Sequence, residues 1–167
     1  MSSRLHIYSV LLAICVMPML CACHTVDENR IPVSPVRIVF STQSQWEIYG
    51  VSGALQYRQF IKKEGLPQNF PYTSLSYTGF GGVLLVSDIH GNPVAYDMAC
   101  PVERSATVKI AVDSEANNAY CPKCGSIFDI FTNYGHPLSG AAAREGYGLQ
   151  RYIVTGGMQG EYMTVTR

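Results

Sequence analysis

No run of ten or more residues in this 167-residue chain repeats its apolar side chains at helical spacing, and this excludes a helical bundle. Short apolar segments cut apart by turn residues stand in its place. Val36-Arg37-Ile38-Val39-Phe40 reads as a first strand, bounded by a Ser/Thr/Gln turn. Val83 to Val86 is a continuous apolar strand, Asp88-Ile89-His90-Gly91-Asn92 a turn, and Val94-Ala95-Tyr96 the return arm of a hairpin. Thr107 to Val112 alternates, with Val108, Ile110 and Val112 on one face and Thr107 and Lys109 on the other. Leu149 to Val154 and Tyr162 to Thr166 are further strands, separated by Gly156, Gly157 and Gly160. Composition agrees: 15 Gly, 9 Pro and 11 Tyr accompany a charged fraction of 14%, below the ~25% of ordinary soluble domains. There is no internal repeat, and the expected fold is a small all-β antiparallel sandwich or barrel.

Residues 41–80 are less regular. Trp46, Ile48, Tyr49, Val51 and the stretch Leu55 to Ile61 suit a packed loop with one short helical turn. Leu66-Pro67-Gln68-Asn69-Phe70-Pro71-Tyr72 cannot be regular structure, because each proline removes a donor and fixes its own φ. Twelve basic and twelve acidic side chains balance, which disfavours an electrostatic nucleic-acid binder.

The beginning of the chain reads as an address. Arg4 is the only charged residue before Asp27, and an apolar run extends from Ile7 to Leu20, short of the ~20 apolar residues that span a bilayer. Leu20-Cys21-Ala22-Cys23 resembles a bacterial lipobox, in which a small residue enters the peptidase and the next thiol takes the lipid. Residues 1–22 are then a lipoprotein signal peptide, Cys23 is the lipidated residue, 23–35 form a polar tether, and 36–167 form the β domain. An ordinary cleaved signal or an uncleaved anchor is the plainer reading of the same residues. The expected location is the bacterial cell envelope, membrane-attached through Cys23 and facing the periplasm or exterior, where disulfides persist.

Of six cysteines, Cys15 and Cys21 leave with the signal and Cys23 carries lipid. Cys100, Cys121 and Cys124 remain, in two loops: Ala99-Cys100-Pro101-Val102-Glu103, and Tyr120-Cys121-Pro122-Lys123-Cys124-Gly125-Ser126-Ile127-Phe128-Asp129. The hairpin running into Cys100-Pro101 resembles the approach to the first ligand loop of Rieske iron–sulfur domains, and Cys121-Pro122 followed by Gly125-Ser126 resembles the second. Gly135 to Ala142, then Leu149 and Tyr152-Ile153-Val154, is similar to that family's covering loop and closing strands. The resemblance covers about residues 79–167. It implies a Rieske-like small antiparallel sandwich with a two-loop cluster-binding subdomain, electron transfer to a partner oxidoreductase, and a hydrogen bond from Ser126 to a cluster sulfur.

The ligand set departs from the family's. Rieske loops carry Cys-x-His and Cys-x-x-His, with two thiolates on one iron and two imidazoles on the other. Here Val102 and Cys124 stand where the histidines belong, and Ala141 replaces the usual proline of the covering loop. Valine has no lone pair to give.

Three outcomes therefore stay open for Cys100, Cys121 and Cys124. One is a non-standard [2Fe–2S] cluster, with Cys100 and Cys121 on one iron and Cys124 plus another ligand on the second. Another is zinc, since Cys121-Pro122-Lys123-Cys124-Gly125 is also a zinc knuckle. His136 is the preferred fourth ligand, with Glu103, Asp129 and His90 as other candidates. The third is no metal: a disulfide among these cysteines would close a loop of ~20 residues, contribute about 2–4 kcal/mol and leave a binding or structural module. A thioredoxin-type redox role for Cys121 and Cys124, activated by Lys123, is weaker, because such pairs open a helix and here a strand-like segment follows. His90 fits a solvated turn, and Trp46 and the tyrosines fit core or rim. No Ser/His/Asp set, phosphate loop or carboxylate pair supports independent catalysis.

Overall fold

The strand Val83–Ser87 is buried at every position, and its two faces explain why its sequence is apolar throughout. Leu84 and Val86 belong to one hydrophobic core and Val83 and Leu85 to another. The chain is described here by a computed structural model covering residues 25–156 and 161–167. Residues 1–22, expected as a signal segment, and Cys23, His24, Gly157 and Gly160 lie outside the described residues.

The strands are β1 (Val36–Phe40), β2 (Tyr57–Phe60), β3 (Tyr77–Thr78), β4 (Val83–Ser87), β5 (Pro93–Asp97), β6 (Ala111–Asp113), β7 (Asn118–Tyr120), β8 (Ile127–Asp129), β9 (His136–Ser139), β10 (Arg151–Gly156) and β11 (Met163–Thr166). The helices are α1 (Gln43–Tyr49) and α2 (Gly140–Glu145), with a 3-10 turn at Lys62–Glu64. A seven-stranded sheet runs β2-β4-β5-β10-β11-β1-β3, and a four-stranded sheet runs β6-β7-β8-β9. Every pairing is antiparallel. The all-β expectation is met.

β10 couples the two halves of the large sheet. Arg151 and Tyr152 pair with β5, while Ile153 to Gly156 pair with β11. The smaller sheet is carried by the segment inserted between β5 and β10, and this insertion contains all three cysteines of the described residues.

Val36, Ile38 and Phe40 alternate inward from β1 into one core with Phe60, Phe70 and Val83. Phe40 meets Trp46, Phe60 and Phe70 edge-on, at centroid separations of 4.9, 5.7 and 5.6 Å. This is the geometry that the ring quadrupole favours. The other core lies toward the small sheet and includes Tyr96, Phe128, Ile130, Leu149 and two cysteines, Cys100 and Cys121.

Several segments differ from the sequence reading, among them Leu55 to Ile61, expected as a packed loop, where Tyr57–Phe60 form β2 and pair with β4. The Ser/Thr/Gln stretch after β1 is a cap and a helix: Thr42 Oγ1 accepts the Gln45 N–H at 3.2 Å, and α1 buries Trp46. Thr107–Val112 is a strand only from Ala111 onward. Upstream, the Val108 carbonyl accepts the Cys100 N–H and the Ile110 N–H reaches Met98, so this stretch braces the first cysteine loop. Finally, the expected tether packs on the domain. Asp27 exchanges backbone hydrogen bonds with Gly146 and Gly148, Glu28 pairs with Arg151 at 2.7 Å, and Ile31 is buried. Polar composition concealed this docking because its contacts are backbone and ionic.

Candidate metal centre

The two cysteine loops are built alike. In the first, the Cys100 carbonyl accepts the Arg104 N–H at 2.9 Å, and Arg104 takes a φ of 51°. In the second, the Cys121 carbonyl accepts the Gly125 N–H at 2.9 Å, and Gly125 takes a φ of 68°. Each is a tight turn closed four residues on by a left-handed residue, a position that glycine occupies freely and arginine only at a cost. In the second turn the first and fourth side chains, Cys121 and Cys124, come together, which is the property that makes a knuckle.

Each loop is also held from behind. Asp97 ends β5 fully buried, with its carboxylate accepting N–H bonds from Gly81 at 2.9 Å, Ala99 at 2.7 Å and Phe80 at 2.8 Å. It also accepts the Tyr152 hydroxyl at 2.5 Å. Burial pushes the Asp97 pKa up, against these four bonds, which favour the ionised form. Sequence reasoning missed this residue; the signal was an aspartate at a strand end three residues before a cysteine. The second loop is covered by α2. Gly140 approaches so closely that a Cβ there would stand 2.7 Å from Ser126 Cα, which only glycine permits.

The sulfurs of Cys100, Cys121 and Cys124 lie within 4.8 Å of one another. Cys100 and Cys121 are buried, and Cys124 is half-buried. The Cys100 and Cys124 sulfurs are 3.7 Å apart, far beyond the about 2.05 Å of a disulfide. All three thiols are free among the described residues, so the disulfide, one of the three outcomes left open by the sequence, is not formed between them. Burial pushes the Cys100 thiol well above its ordinary pKa, opposed by N–H bonds from Glu103 and Val102. Burial also acts to raise Cys124, but bonds from the Ser126 hydroxyl and N–H and from the neighbouring thiols outweigh it and hold that thiol low.

Ser126 is buried and its Oγ takes the Cys124 thiol at 3.3 Å and the Ala142 N–H at 3.0 Å. Val102 is partly buried and packs against the core. The expected fourth ligands fare differently. No other His, Cys, Asp or Glu among the described residues joins the three sulfurs. His136 is exposed on β9, and His90 is exposed in the β4–β5 turn. Asp129 is spent on its own turn, where it accepts the Phe131 and Thr132 N–H groups. Glu103 is paired with Lys123, which bridges the two loops.

The chemistry available is soft-metal binding: three neighbouring thiols, two of them buried, become on deprotonation a donor set for zinc or iron and not for magnesium or calcium. Comparison of the chain with models of protein families, with curated proteins and with solved structures finds no match. Among the described residues no helix is long and apolar enough to cross a membrane.

Proposed function

We propose that the chain is a lipid-anchored, Rieske-like domain of the bacterial envelope that holds one metal ion on Cys100, Cys121 and Cys124 in place of a two-iron cluster. The observation that carries this reading is the sulfur spacing. A tetrahedral ion with metal–sulfur bonds of about 2.3 Å places its sulfurs roughly 3.8 Å apart, and Cys100 and Cys124 stand at 3.7 Å. A [2Fe–2S] cluster uses four protein ligands divided between two irons. Here the three sulfurs lie within 4.8 Å of one another, and Val102 offers no ligand atom. The donor set supports a single ion over the family's cluster, whose second iron finds no histidine among these residues.

Zinc at this position would clamp the two loops and the small sheet together, and the domain would serve as a binding or structural module. A second reading keeps the electron-transfer role with one iron. It is favoured by Cys124, whose partial exposure gives the centre an edge toward a partner oxidoreductase. In both readings Cys23 holds the domain at the membrane, and nucleic acid has no part.

Metal analysis, an absorption spectrum and a free-thiol count on anaerobically purified full chain separate the outcomes. One zinc per chain without colour supports the clamp, and one iron with thiolate colour supports the carrier. No metal, with two of these three thiols oxidised, contradicts both and restores the disulfide-stapled module.

A further inference from the structure

The repeat of the knuckle has a chemical consequence for Glu103. Cys100-Pro101-Val102-Glu103-Arg104 and Cys121-Pro122-Lys123-Cys124-Gly125 coincide in their cysteine, their proline, the carbonyl that closes the turn and the left-handed residue that ends it. Glu103 therefore occupies, in the first turn, the place that Cys124 occupies in the second. The left-handed φ at Arg104 is part of this match; the Glu103 carboxylate itself is held by Lys123 and stands outside the three-sulfur cluster, so ligation requires its free oxygen to turn toward the sulfurs.

We propose that Glu103 is the fourth ligand of the metal site, its carboxylate completing a three-thiolate, one-oxygen set for a zinc-class divalent cation. This rests on the reading of Cys100, Cys121 and Cys124 as a metal site. Zinc accepts carboxylate oxygen alongside thiolate in tetrahedral sites. The Glu103 side chain is only 15% exposed, whereas that of Lys123 is 64% exposed, so the acid sits inward and its partner outward. The ion pair engages Oε2. A carboxylate has a second oxygen, so one group can ligate a cation and keep a charged partner behind it, as supporting residues do at metal sites generally. Exposed His136 and His90 and the turn-bound Asp129 offer no comparable placement.

Cobalt(II) titration of the full, reduced chain tests the assignment, with Glu103→Gln and Glu103→Cys beside the wild type. The wild type takes up one cobalt with a tetrahedral thiolate spectrum. Glu103→Gln weakens binding by about 10- to 100-fold or more. Glu103→Cys tightens it and strengthens the sulfur-to-cobalt charge-transfer band, a gain that misfolding cannot imitate. Wild-type affinity and spectrum in both variants would overturn the role of Glu103 while leaving the site intact. A weakened Gln variant beside a Cys variant with an unchanged band would overturn ligation, reducing Glu103 to the partner of Lys123. Uptake of cobalt by none of the three would overturn the metal site itself.

Discussion

Ser126 Oγ accepts the Ala142 N–H at 3.0 Å and the Cys124 thiol at 3.3 Å, so one buried hydroxyl joins the covering helix to a sulfur of the site. Ser126→Ala leaves the Ala142 N–H buried without a partner. We expect a loss of about 1–3 kcal/mol in denaturant melts, with Ser126→Cys recovering little because the longer sulfur meets the close backbone of Gly140.

The left-handed turn that closes the second knuckle can be tested apart from the side-chain contacts that cover it. A Cβ on Gly125 would meet nothing within 4 Å, so Gly125→Ala costs only the left-handed penalty, about 1–2 kcal/mol. The mirror substitution Arg104→Gly relieves the same strain in the first loop and should be neutral or stabilising by up to about 1 kcal/mol. Equilibrium unfolding of the two variants measures both signs.

Asp97 organises the approach to the first knuckle. Asp97→Ala leaves the buried Gly81 and Ala99 N–H groups, the half-buried Phe80 N–H and the Tyr152 hydroxyl without their acceptor. Each orphan costs about 1–3 kcal/mol, a sum that this small domain does not survive as a soluble monomer. Tyr152→Phe removes one donor only and should lower stability by about 1 kcal/mol. Circular dichroism and melts of the two variants check the contrast.

Asp129 gives the domain an acid limb. Burial acts to raise its pKa, but bonds from Thr132 and from the backbone of Phe131 and Asn133 prevail and hold it below the ordinary carboxylate value. Its contribution is therefore full above the unfolded pKa of about 4 and fades as pH falls through the lower folded value. Melting temperatures across that acidic range should fall less steeply for Asp129→Asn than for the wild type. Parallel slopes would contradict the assignment.

Much of the large sheet could be read from the sequence, because β1 alternates in and out and β4 is apolar on both faces. The small sheet could not: β6, β7 and β8 are three residues each, shorter than any period can mark. The extent of α1 was not legible for a similar reason, its seven residues reading as a polar turn followed by one short helical turn around Trp46. The cysteines announced themselves through spacing, and the structure brings them together. Glu103 was legible only as one candidate of four, since its equivalence to Cys124 lies in a backbone turn closed by an arginine, and sequence expects glycine there.

X-ray absorption fine structure at the edge of the metal bound by the anaerobically purified full chain tests the single-ion claim most directly. The prediction is three sulfur neighbours at about 2.3 Å and one oxygen at about 2.0–2.2 Å, with no metal neighbour. A short metal–metal distance with bridging sulfur would contradict it and return the site to a two-iron cluster.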